Sequence, residues 1–174
     1  TYCFTVQNTA PTTPTNLTAA DNQQVGENIT ISCSDSIDID TDSITYYYEF
    51  YNINDTTIIQ SYSTNNNYTI QQSDAHDRIR LRCKANDGEA DSASYDEINV
   101  SINNTIPTIN IIEPNGVSDD NRDTDFTATW TTTDIDGDTL NITCYADADN
   151  SGYDKTYNVF IDAVDNGSNT FSVS

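Results

Sequence analysis

The 174-residue chain carries 28 Asp and Glu against 6 Lys and Arg, a formal charge of −22 at pH 7. That charge excludes a nucleic-acid binder, which needs cationic surface to displace counterions from phosphate, and it excludes docking on an anionic membrane. No apolar run approaches the roughly 20 residues of a membrane span, so no membrane insertion is expected.

Leu occurs only at Leu17, Leu81 and Leu140 and Met is absent, whereas Tyr occurs 11 times amid abundant Thr, Ser, Asn, Ile and Val. Strong helix formers are scarce, so the expected fold class is all-β. The acids are 23 Asp and only 5 Glu. Asp favours turns and hard-metal sites over helical surface. Halophilic adaptation would also account for the charge.

In chain order, residues 1–8 come first and alternate as a strand through Tyr2, Phe4 and Val6. Strand A is expected over 14–20 before a turn at Gly26, and strand B over 28–34. Strand C, over 43–52, places Ile44, Tyr46, Tyr48 and Phe50 on one face. A middle strand spans 56–63, E spans 67–72 and F spans 78–85; the Asn86-Asp87-Gly88 turn follows, then G over 95–103. Clean alternation means one buried face and one wet face. From Pro107 a second set supplies A (108–113), B (124–131), C (139–146), a middle strand (156–161) and E (169–174).

The two sets are a duplication. Asp38-Ile-Asp-Thr-Asp-Ser-Ile44 returns 96 residues later as Asp134-Ile-Asp-Gly-Asp-Thr-Leu140, and Asn8-Thr-Ala-Pro-Thr12 returns at the same offset as Asn104-Thr-Ile-Pro-Thr108. A unit of that length suits a seven-stranded sandwich. The expected organisation is an N-terminal strand and linker (1–10), one domain over 11–105 and a second over 106–174. Position 174 corresponds to residue 78 of the first copy, so the second copy is expected to lack F and G. Residues 1–8 map onto a G strand and form an orphan.

Cys33 and Cys83 each fall on the same face as Ile and Leu of their strands, B and F, so both should point into the core. Two such cysteines 50 residues apart on facing strands are expected to form a disulfide in an oxidising, extracellular setting; the alternative is a pair of reduced core thiols. Cys3 and Cys144 remain for an intersubunit bond.

The Asp-x-Asp-Gly-Asp pattern ahead of strand C, the Asp-Gly before strand G and the Asn-Thr-x-Pro linker resemble immunoglobulin-like surface repeats. In these motifs the chain is similar to PKD and cadherin-like domains of prokaryotic extracellular proteins. The likeness covers most of 11–105 and the first two thirds of the second copy. Leu81 stands where antibody-type domains carry a corner tyrosine, and strand C lacks the core Trp. The resemblance implies two tandem immunoglobulin-like sandwiches, the second incomplete, at a cell surface.

Asp38, Asp40 and Asp42, with their repeat Asp134, Asp136 and Asp138, fall on B–C loops. Carboxylates two residues apart on an irregular loop can converge on one hard cation such as calcium; a solvated acidic turn is the alternative. The F–G loop shares that end of the sandwich and brings Asp87, Glu89 and Asp91 alongside. A cadherin-like junction would bring Asp134, Asp136 and Asp138 near Asn103, Asn104, Asp74 and Asp77. Asp147, Asp149, Ser151 and Asp154 match the first half of an EF-hand-type loop, with Gly152 at its sixth position but Asn158 at its twelfth.

Arg78, Arg80, Arg82 and Lys84 form a ladder on the outer face of strand F, expected to pair with Glu49 and with Asp96 or Glu97, or else to dock an acidic neighbour. Asn-x-Ser/Thr sequons at Asn16, Asn28, Asn54, Asn67, Asn99, Asn103, Asn141 and Asn166 make glycans candidate attachments. One histidine, His76, with no serine or thiol motif beside it, gives no catalytic constellation, and the chain reads as non-enzymatic.

Two functions fit these features. One is a structural subunit of an extracellular filament, in which residues 1–8 of each subunit complete the second domain of the next, head to tail. The other is a surface adhesin or carbohydrate-binding module.

Overall fold

The computed structural model describes residues 3, 7–113, 126–146, 157–164 and 167–173, with side chains over 3, 7–113 and 128–142. Tyr2, Phe4, Val6, Asp147, Asp149, Ser151, Asp154 and Asn166, and the side chain of Cys144, lie outside that description. The chain divides into two units, Thr1–Asn104 and Thr105–Ser174.

Among its described residues the first unit builds eight strands: β1 (Asn16–Thr18), β2 (Asn28–Thr30), β3 (Ser32–Ser34), β4 (Thr45–Asn52), β5 (Thr57–Ser63), β6 (Asn67–Thr69), β7 (Arg78–Asn86) and β8 (Asp96–Ser101). One sheet runs β5-β4-β7-β8, all antiparallel. The opposite layer pairs β1 with β3 and β2 with β6. In strand letters this is A-B-E facing C′-C-F-G, the immunoglobulin-like Greek key.

Alternation explains why these residues form these strands. Along β7, Ile79, Leu81, Cys83 and Ala85 are completely buried, while Arg78, Arg80, Arg82 and Lys84 take the outer face. Phe50 of β4 and Ile29, Ile31 and Ile70 from the opposite layer meet them in one core. The core is bolted across its layers by a disulfide between Cys33 of β3 and Cys83 of β7, with Cα atoms 6.6 Å apart. The pairing expected from side-chain parity is the one that forms.

Strand B differs from its expected form by breaking at Ile31. The Ile31 amide donates to the Asn66 carbonyl at 2.9 Å, and Asn66 Nδ2 donates back to the Ile31 carbonyl at 2.8 Å. The break is a change of partner, since β2 pairs with β6 and β3 with β1. Strand A shrinks to three residues, behind a buried Pro14 that has no amide to donate. Strand E stops at Thr69 because Ile70 bonds back to the 26–27 turn, and Gln71 then caps a short 3₁₀ turn, Gln72–Asp74.

The second unit has β9 (Thr108–Glu113), β10 (Phe126–Thr133), β11 (Leu140–Ala146), β12 (Tyr157–Val164) and β13 (Gly167–Val173). Its sheets run β13-β10-β9 and β11-β12. These correspond to E-B-A and C-C′ of the first unit. Trp130 of β10 is buried at 3% exposure, opposite Ile111 and Asn169 in register. Ile109 and Ile111 of β9, by contrast, are 56% and 64% exposed, where Leu17 of the equivalent β1 is 7% exposed. Among the described residues, β11 pairs with β12 alone, whereas its counterpart β4 is flanked by both β5 and β7.

Candidate functional site

The Asp-rich loop between β3 and β4 is folded by its own first carboxylate. Asp38 Oδ1 accepts the amides of Asp40 at 2.8 Å and Asp42 at 3.3 Å, wrapping the loop around the side chain. The turn places Thr41 at φ +69°, in the left-handed region. The repeat does the same with a better-suited residue, since Gly137 sits at φ +79° and Asp134 Oδ1 accepts the Asp136 amide at 2.8 Å. Asp38 is 9% exposed, while Asp40 and Asp42 lie at the surface. One carboxylate oxygen from each of the three comes within 4.8 Å of the others. Asp38 Oδ2 is buried without a hydrogen-bond partner.

The second carboxylate of the triplet catches the incoming linker. Asp40 Oδ2 accepts the Thr9 amide at 2.7 Å. In the second unit Asp136 accepts both the amide and the hydroxyl of Thr105. Thr105 lies 96 residues after Thr9 and Asp136 lies 96 after Asp40, so the clamp is duplicated with the sequence. The neighbouring linker residue engages the F–G loop, for Asn8 Nδ2 donates to Asp87 Oδ2 at 2.9 Å. That amide, then the Ala90 and Glu89 N–H groups, hold the Asp87 carboxyl below the usual carboxylate range. Farther along, the Thr12 amide donates to the Ile37 carbonyl at 2.9 Å and the Ile37 amide donates to Thr12 Oγ1 at 2.8 Å. Sequence reasoning sees the duplicated Asn-Thr-x-Pro linker and the duplicated Asp triplet, but not that they bond to each other.

The outgoing end of the first unit is also held. Asp21 Oδ1 accepts the Ser101 amide at 2.8 Å, and the Asn103 amide donates to the Gln23 carbonyl at 2.8 Å. The Ser101 bond, followed by that of Asn22, lowers the Asp21 pKa. Asp74 and Asp77 are engaged within the fold. Buried Asn52 donates to Asp77 Oδ2 at 2.8 Å and to Asp74 Oδ1 at 3.4 Å, and the Tyr68 hydroxyl donates to Asp74 Oδ2 at 2.6 Å. Burial, then the bond to Asp74, pushes the Tyr68 hydroxyl pKa well up.

The basic ladder pairs internally. Arg82 bridges Glu49 at 3.3 Å and Glu97 at 2.9 Å, and Lys84 pairs with Asp91. Asp96 instead accepts the Leu17 amide at 3.1 Å, on the other side of the strand. Arg80 lies 4.3 Å over the Tyr51 ring, Arg82 4.2 Å over Tyr95 and Lys84 4.7 Å over Tyr62. These cation–π contacts, which stiffen the outer face of the sheet, are absent from the pairing expected by strand parity. Asn16, Asn28, Asn54, Asn67, Asn99, Asn103 and Asn141 are all exposed, and Cys3 is an exposed free thiol.

No family model matches the chain, and no curated protein matches it. A solved structure of the fibronectin domains FN1–FN3 of chicken CNTN1 aligns at 13% identity and a TM-score of 0.33. The alignment covers 94% of this chain and 56% of that one, so this chain spans about half the length of the protein it resembles. The strand order described above, not this loose likeness, establishes the immunoglobulin-like fold of the first unit.

Proposed function

We propose that the chain is a structural repeat of an extracellular filament or cell-surface assembly, with a non-enzymatic role. The observation that carries this reading is the duplicated clamp, Thr9 on Asp40 and Thr105 on Asp136. A binding module needs a ligand site, whereas a load-bearing repeat needs the chain fixed where it enters each domain. The Cys33–Cys83 bond supports an oxidising location outside the reducing cytoplasm.

Head-to-tail joining by strand addition has support of its own. Among the described residues, β11 pairs with β12 alone where its counterpart β4 also pairs with β7, and Ile109 and Ile111 of β9 are exposed. Open edges and uncovered apolar faces recruit strands. Residues 1–8 carry the alternating Tyr2, Phe4 and Val6 that such a strand requires, and Cys3 would then reach Cys144 of the neighbouring subunit. Hydrodynamic size tests the reading. The assembling protein sediments as a polymer that shortens when residues 1–8 are deleted and, if Cys3 bonds Cys144, also on reduction. A monomer that binds glycans on an array would make the chain an adhesin module instead.

A further inference from the structure

We propose that the outer face of strands β1, β2, β3 and β6 is the N-glycosylated face of the first unit, with oligosaccharides on Asn16, Asn28 and Asn67. The proposal rests on the extracellular location argued above and not on assembly.

Two independent observations carry it. The first is orientation. Asn16-Leu-Thr18, Asn28-Ile-Thr30 and Asn67-Tyr-Thr69 are sequons, and each coincides with one whole strand. Side chains alternate along a strand, so the middle residue of each turns inward while its Asn and Thr turn outward together. Leu17 and Ile29 are buried and Tyr68 packs against the same core, whereas the Asn and Thr of every sequon are exposed. Among the described residues, the four longer strands of the other sheet hold one sequon asparagine, Asn99, opposite Arg80 in register.

The second observation is charge. Ser32 and Ser34 are the other outward residues of these strands, so in a chain with 28 acidic residues this face carries no charge at all. The other sheet, by contrast, turns Arg78, Arg80, Arg82 and Lys84 outward from β7. Charge is the ordinary means of keeping a protein surface hydrated and apart from its neighbours. An N-linked glycan is bulky and solubilising, and it supplies the same protection where charge is missing.

The local hydrogen bonds accommodate the sugar. Glycosylation replaces one of the two Nδ2 hydrogens and leaves the other, together with Oδ1. Asn28 is held through Oδ1, which accepts the Thr69 hydroxyl at 2.6 Å, and Asn16 needs one N–H for its bond to Ser34 Oγ at 3.0 Å. Both bonds survive. In the transfer, the Nδ2–C1 bond forms as the C1–O bond to the phosphate of a lipid-linked oligosaccharide breaks. The phosphate leaves with the bonding pair, and a base of the transferase takes the Nδ2 proton. Asn28 and Asn67 are diagonal neighbours across β2 and β6, so their glycans rise side by side.

The test is glycopeptide mass spectrometry of the native chain from the cells that make it, with the Cys33–Cys83 bond mapped in the same digest. Oligosaccharide mass on Asn16, Asn28 and Asn67 is expected in most molecules. Thr18→Ala, Thr30→Ala and Thr69→Ala, made in the same cells, should each lose the mass at the asparagine two residues earlier and nowhere else. Thr18→Ser, Thr30→Ser and Thr69→Ser should retain it, because a serine hydroxyl also completes the sequon. Unmodified asparagine in most molecules at any of the three overturns the glycosylated face, as does modification that survives loss of its threonine. If the disulfide is intact in that unmodified chain, the extracellular reading stands without the glycans. If both cysteines are free, that reading falls with them.

Discussion

Removing the Cys33–Cys83 bond should leave the first unit close to the edge of stability. The bond spans 50 residues of chain, and closing a loop of that size stabilises by about 4 kcal/mol in the chain-entropy model. Cys83 is completely buried, so a double Cys33→Ala, Cys83→Ala variant also loses some sulfur packing, adding about 1 kcal/mol. Single domains are stable by only about 5–15 kcal/mol. With a urea dependence of about 1.5–2 kcal/mol per molar for a unit of this size, the midpoint should fall by about 2–3 M. The assay is equilibrium urea unfolding of the full chain, followed by tyrosine fluorescence for the first unit and by Trp130 for the second. The tryptophan transition is the internal control. A midpoint shift under about 0.5 M, or two free thiols titrating at Cys33 and Cys83 in the unreduced unfolded chain, would refute the reasoning.

Thr41→Gly should stabilise the first unit by about 0.5–1 kcal/mol, because a β-branched residue at φ +69° is replaced by the residue that the repeat carries there; the melting midpoint reads it. Asn52→Ala should destabilise by about 2–4 kcal/mol, since it strips a donor from Asp74 and Asp77 and an acceptor from the Asn54 and Asp55 amides; chemical denaturation measures the loss. Burial first, then the charge of Glu49, raises the Tyr62 hydroxyl from its ordinary 10.0 to about 12. The unfolded chain releases that proton more readily, so this contribution to stability is complete below pH 10 and is lost as pH rises through about 12. Tyr62→Phe should flatten that alkaline loss.

Long alternating segments are legible in the sequence, and the reason is burial on one face. Strands C, F and G need no partner to be recognised, because Tyr48 and Phe50, Ile79 through Ala85, and Ile98 and Val100 mark the inner face by parity alone. The same parity aims Cys33 and Cys83 at each other. Strands A and E are shorter than their patterns imply, because the turn at 26–27 claims Ile70 and Pro14 cannot donate. The break at Ile31 is a tertiary choice between two neighbours that no local pattern records.

Spacing also brings Asp38, Asp40 and Asp42 together, since carboxylates two apart on a tight loop converge. What it leaves unread is division of labour, with Asp38 folding the loop and Asp40 holding Thr9. The signal was the joint duplication of the linker and the loop at one offset. The tyrosines over the basic ladder come from β4, β5 and the segment before β8, so only the folded sheet assembles them.

Backbone amide hydrogen exchange at Thr9 and Thr105 tests the duplicated clamp most directly. Both amides should exchange at least about tenfold more slowly than exposed linker amides, as a hydrogen bond worth somewhat over 1 kcal/mol implies. Asp40→Ala should release Thr9 alone and Asp136→Ala should release Thr105 alone. Rapid exchange at both threonines in the parent chain, or protection that survives these substitutions, would contradict the account.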